Sequence, residues 1–173
     1  MLAAAAAPNE GVNAGALAAL GSRGVPLYAV LDAARDPRVR ALVARAGADA
    51  QCLYAGLKAR LYGELGPHLV RLAPGSELLR TLCGEGWGRS WGIFLTSTRP
   101  FAAVRRHLRE FLVVTDENGT LLHFRFYDPR VLRRFLPLAN RRQASALFHD
   151  IAELLVEDQD GALLAFGYGA DGI

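Results

Sequence analysis

The chain has 173 residues, of which 51% are apolar, 20 are Lys or Arg and 17 are Asp or Glu. That length suits one domain, the apolar content and mixed charge exclude a disordered chain, and no apolar run approaches the roughly 20 residues that span a bilayer. The net charge is only +3, and 19 of the 20 basic residues are Arg, a bias that GC-rich coding explains and that argues weakly for nucleic acid.

The distribution of charge is more informative than its sum. Residues 1–98 carry 10 basic and 7 acidic groups, residues 99–142 carry 10 and 4, and residues 143–173 carry 0 and 6. Either the basic and acidic segments neutralise each other inside the fold, or the basic one faces an acidic partner. Cys52 and Cys83 stand apart without a CxxC or a Cys/His cluster, which reads as buried thiols in a reducing compartment. The opening MLAAAAAPNE has no positive n-region and a short apolar run. Cytoplasmic residence is the expectation.

Residues 1–24, rich in Ala, Gly and Asn, read as a flexible leader in which Leu17 and Leu20 anchor at most one short helix. The packed domain is expected over residues 25–173. Leu27 to Leu31 reads as a buried strand. Asp36-Pro37 opens a helix, with Asp as N-cap and Pro at the first helical position, and Gly47 closes it. Gln51 to Tyr54 reads as a short strand. Gly66-Pro67 breaks the next stretch, and Leu69 to Leu72 reads as strand or turn. Ser76-Glu77 opens a helix that the glycines at 84, 86 and 88 stop. Trp91 to Thr96 reads as a strand.

Residues 100–111 form the clearest amphipathic helix, with Phe101, Val104, Leu108 and Phe111 inward and Arg105, Arg106, Arg109 and Glu110 outward. A hairpin follows, with arms Leu112 to Thr115 and Leu121 to Tyr127 and Asn118-Gly119 as a two-residue turn with two positive φ values. Its second arm would place Leu122, Phe124 and Phe126 on one face and His123, Arg125 and Tyr127 on the other. Asp128-Pro129 opens a helix that Pro137 ends. Asn140 caps another, with Ala144, Leu147 and Phe148 inward. A last hairpin joins Leu154 to Glu157 and Ala162 to Tyr168 around Asp160-Gly161. Alternating strands and helices imply a single α/β (α+β) domain, and the hairpins imply a mixed sheet flanked by helices.

Few motifs carry chemistry. Gly88-Arg89-Ser90-Trp91-Gly92 matches the G-x-S-x-G nucleophile elbow, with Asp116 or Asp128 and then His149 in the chain order of a hydrolase. The elbow needs a strand before the serine and a helix after it, whereas here the strand follows. No Lys and Ser/Thr complete a phosphate loop. His68, His107, His123 and His149 lack metal-ligand spacing. No metal, cofactor or catalytic residue is therefore assigned. Arg105, Arg106 and Arg109, with Arg133-Arg134 and Arg141-Arg142, offer a surface to phosphates, yet no nucleic-acid-binding signature accompanies them. Trp87 and Trp91 are either core plugs or exposed interface anchors, and Arg125 either pairs with an acidic group inside the fold or reaches a partner.

Several segments together resemble a bacterial family known as domain of unknown function 4123. They are Leu27 to Arg35, Leu53-Tyr54, Gly66 to Leu72, Gly86-Trp87-Gly88 with Trp91 to Leu95, and Phe124-Arg125-Phe126-Tyr127-Asp128-Pro129-Arg130-Val131-Leu132 completed by Leu136-Pro137. The resemblance covers residues 27–150. It implies a non-enzymatic adaptor chaperone of the type VI secretion system, which binds a cognate secreted effector protein in the cytoplasm and promotes its loading onto the spike. The spike-tip protein is then a further candidate partner, and neither nucleic acid nor membrane is expected. The candidate partner-binding residues are Trp87, Trp91, Arg125, Tyr127, Arg130 and Arg134. The alternatives are a small serine hydrolase using Ser90 and an Arg-rich nucleic-acid-binding module.

Overall fold

The computed structural model describes residues 10–169 and 172–173. Among them, a sheet of six strands runs in the order β2 (Ala50–Cys52), β3 (Pro67–Leu72), β1 (Leu27–Asp32), β4 (Gly92–Thr96), β7 (Glu153–Glu157) and β8 (Leu163–Gly167). A separate two-stranded ribbon pairs β5 (Val113–Thr115) with β6 (Leu121–His123). Helices α1 (Glu10–Gly21), α2 (Pro37–Ala46) and α4 (Glu77–Thr81) cover one face of the large sheet through Leu20, Val39, Leu42 and Leu79. Helices α5 (Phe101–Glu110), α6 (Pro129–Phe135) and α7 (Arg141–Phe148) cover the other through Val104, Leu108, Leu132 and Leu147. This is the single α+β domain expected.

Every pairing in the large sheet is antiparallel, where a mixed sheet was expected. The excursions through α2 and α4 carry the chain from β1 to β2 and from β3 to β4 in the same direction but two places along, with another strand inserted between each pair, so no two neighbouring strands are parallel. Because both faces are covered, the central strands show no polar alternation: all six residues of β1, its terminal Asp32 included, are buried. Alternate β1 residues feed the two cores, Tyr28 and Val30 on one side and Leu27, Ala29 and Leu31 on the other.

Local sequence sets the helix starts. The Asp36 and Asp128 side chains each accept from a backbone N–H two residues on, with Pro at the first helical position. Ser76 caps α4, and Asn140 and Gln143 form a reciprocal capping box on α7, which satisfies amide donors that helix geometry leaves open. Of the leader expected over residues 1–24, residues 1–9 lie outside the described residues. The short helix around Leu17 and Leu20 is α1, with Leu20 buried against the second core.

Helix α3 (Gly56–Tyr62) belongs to neither layer and has no buried residue. Leu57, Leu61 and Tyr62 on it are 67%, 62% and 56% exposed. That is why its sequence carries no readable core-facing period.

The β5–β6 hairpin differs from expectation twice. Its turn has one positive φ, at Gly119. The N–H of Gly119 donates to the Asp116 carbonyl, and the Asp116 side chain accepts from the amides of Asn118 and Thr120. This is the longer turn closed by a left-handed glycine, not the two-residue type. The second arm ends at His123, because the N–H of Asp128 donates to the carbonyl of Arg125 and turns the chain into α6. The alternation expected through Tyr127 therefore breaks, and both Phe126 and Tyr127 are buried.

Candidate partner-binding surface

The segment from residue 123 to 130 lies between β6 and the first turn of α6, and its tight turn gathers charge. Asp32, the last residue of β1, is 4% exposed, and its carboxylate accepts from the amide of Ala34 and, at 2.6 Å, from Nη2 of Arg125. Asp128 is equally buried. It accepts from the amide of Arg130 and, in a two-pronged contact at 2.9 and 2.7 Å, from the Arg130 guanidinium. Arg125 also lies 3.8 Å from Asp128. Each arginine is thus fixed from beneath by a carboxylate while its side chain stays 45% or 46% exposed. Charge-assisted, two-pronged contacts hold a guanidinium in one geometry better than neutral ones.

Burial works against ionisation of Asp128, but Arg130, the helix amide and Arg125 outweigh it, so its carboxyl titrates below the ordinary range. Beneath this cluster, burial pushes the Tyr127 phenol up, and the neighbouring Tyr54 and Asp32 add to the effect. Tyr127 stays a neutral phenol that packs edge-on against Phe126, lies 3.3 Å from Nε2 of His123 and sits under the Arg125 guanidinium.

The six expected contact residues separate in space. Arg125, Tyr127 and Arg130 come together. Of the two roles the sequence left open for Arg125, the pairing with an acidic group inside the fold is the one observed, and its side chain stays 45% exposed. Tyr127 is 3% exposed and supports the cluster from inside, so it offers no partner surface. Arg134, on α6, is exposed and makes no ion pair among the described residues.

The tryptophans, at 5% and 3% exposure, belong to the core on the opposite face of the sheet. Trp87 packs on Phe94 and donates its indole N–H to the carbonyl of Gly161 at 2.7 Å. Trp91 lies beneath the Arg38 guanidinium. Both are core plugs rather than interface anchors, because the Gly-rich loop folds them under α2 and against the β7–β8 turn.

Glu157, which sequence reasoning missed, holds that same loop. It is 7% exposed, and its carboxylate accepts from the amides of Gly88 and Ser90. Burial pushes its carboxyl up, and the two amides offset only part of the shift. A raised folded value favours the protonated form. That stabilisation is fully present below the unfolded value, about 4.3, and is lost as pH rises through the folded one. Thermal unfolding of wild type and Glu157→Gln across this window should show wild type gaining on the variant as pH falls. A pH-independent difference would contradict the assignment.

Ser90 sits in this loop at φ +56° and precedes β4, so it lacks the strand–turn–helix setting of a nucleophile elbow. Its suggested companions are engaged elsewhere. Asp116 holds the hairpin turn, Asp128 caps α6, and His149 is 76% exposed beside Asp150. No group of three or more His, Cys, Asp or Glu able to hold a metal occurs among the described residues. Cys52 and Cys83 are free thiols, and burial pushes Cys83 up to about 11. No helix among the described residues is long and apolar enough to cross a membrane.

The fold and the arginine cluster describe a small α+β domain that presents two carboxylate-anchored guanidiniums to solvent. The family model described as domain of unknown function DUF4123 matches residues 27–146, from β1 into α7, and the chain belongs to that family. No curated protein and no solved structure matches it.

Proposed function

We propose that this chain is a non-enzymatic adaptor that binds a cognate type VI secretion effector in the producing cell's cytoplasm and promotes its loading onto the spike protein. The observation that carries the reading is the pair Arg125 and Arg130. Both guanidiniums lie in the segment that most resembles the family's signature, and both are held by buried carboxylates while facing solvent. A side chain already ordered before binding loses little rotamer freedom on association, and arginine is among the residues that dominate interface energetics. Membership of the family supports the role, which enters through the resemblance.

An in-frame deletion in the producing cell tests it. Delivery of one effector should stop, while delivery of the others continues. Unchanged delivery of every effector would overturn the proposal.

A further inference from the structure

Beside the arginine cluster an open groove of about 420 Å³ runs between α3, α5 and the β5–β6 hairpin. Its floor is apolar, formed by Leu53, Tyr54 and Leu112, and its walls carry Lys58, Arg106 and Arg109 against the single carboxylate of Glu110. None of the three cations pairs with a carboxylate among the described residues. Lys58 lies over the Tyr54 ring at 4.1 Å.

Apolar side chains flank the groove on both sides. On α3, Leu61 and Tyr62 are three and four residues beyond Lys58 and so share its side of the helix. On the hairpin, Leu121 pairs with Thr115, two residues beyond Val113, which places Leu121 and Val113 on one face. Leu121 is 71% exposed and Val113 49%. His123, on that same face, is held below its ordinary value by burial, by Lys58 and by Arg125. Tyr54 and His123, two uncharged rings 6.3 Å apart, join the groove to the anchored arginines.

We infer that this groove receives an acidic segment of the protein partner that carries leucine- or phenylalanine-like side chains. Unpaired cations over an apolar floor match that chemistry in charge and in surface. A basic segment would meet repulsion, and a purely polar one would leave the exposed leucines wet. The identity of the partner as an effector rests on the proposed function, whereas the chemistry of the groove does not.

The test uses the full chain and a fluorescein-labelled peptide of glutamates with interspersed leucines, read by fluorescence anisotropy. Three controls accompany it: the peptide with serine for leucine, the peptide with lysine for glutamate, and a single-stranded DNA of equal charge. The glutamate–leucine peptide should bind best and weaken about tenfold or more in Arg106→Glu/Arg109→Glu, with a smaller loss in Arg106→Gln. It should also weaken in Val113→Ser/Leu121→Ser.

Equal binding of the serine peptide or the DNA would overturn the inference in favour of unspecific polyanion attraction. Absence of binding would overturn it outright. So would a dimer in sedimentation velocity that these substitutions dissolve, since the groove would then belong to a second copy. If the effector co-purifies with wild type and with the groove variants alike, the groove falls and the adaptor role stands. If wild type recovers no effector, the adaptor role falls and the peptide result still judges the groove.

Discussion

Gly92→Ala should lower the thermal midpoint by roughly 10 °C, because the added methyl has nowhere to go. Gly92 faces Leu31 across the central pair of strands. A Cβ there would overlap the carbonyl oxygen of Val30 and lie 3.0 Å from the Cα of Leu31. Strand β1 is hydrogen-bonded to β3 on one side and β4 on the other, so it cannot retreat without breaking a ladder. Overpacking in a tight core costs about 1–3 kcal/mol, and a backbone collision belongs at the upper end. Each kcal/mol moves the midpoint of a domain this size by about 2–4 °C. Unfolding followed by circular dichroism measures the shift, and a change within about 1 °C would show that the β1–β4 approach is looser than described.

Arg125→Gln/Arg130→Gln should weaken partner binding by about 100-fold, since loss of two central arginine anchors typically exceeds 2 kcal/mol. Glutamine is the informative replacement. Reversal to glutamate would set new carboxylates against buried Asp32 and Asp128, and misfolding would then mimic a binding defect. The double variant should have a midpoint lower by roughly 10 °C, because buried Asp32 and Asp128 keep only their backbone amide donors, and circular dichroism shows whether it stays folded. Arg134→Glu is the companion. Its side chain is exposed and unpaired among the described residues, so stability should change by less than about 0.5 kcal/mol while binding weakens through charge alone. Calorimetry with the purified effector reads both. Full affinity in a folded double variant would place the partner elsewhere.

What the sequence discloses here is local. Asp36-Pro37, Ser76, Asp128-Pro129 and Asn140 each announce a helix within three residues of its start, and all four caps form. The apolar runs of β1 and β4 likewise stand out, because a strand covered on both faces needs no polar alternation. The long-range partnerships are silent. Asp32 and Arg125 are 93 residues apart, and Glu157 reaches the amides of Gly88 and Ser90 across 69 and 67. Nothing local selects those partners.

Some local signals mislead in a physically clear way. Phe124 and Phe126 extend the β6 alternation past the point where the Arg125–Asp128 turn ends the strand, and so Tyr127 read as an exposed side chain. Asn118-Gly119 suits a two-residue turn, but the Asp116 carboxylate captures two amides and favours the longer one. The tryptophans fit either a core or an interface by composition alone. The fold decides for the core, and that leaves Arg125, Arg130 and Arg134 as the accessible part of the expected surface.

The adaptor role is tested most directly by co-purification from the producing cell, with the tagged full chain as bait and mass spectrometry as readout. The account predicts one dominant secreted effector with wild type, and its loss with Arg125→Gln/Arg130→Gln when circular dichroism shows that variant folded. Recovery of no protein partner while the effector genes are expressed would contradict it.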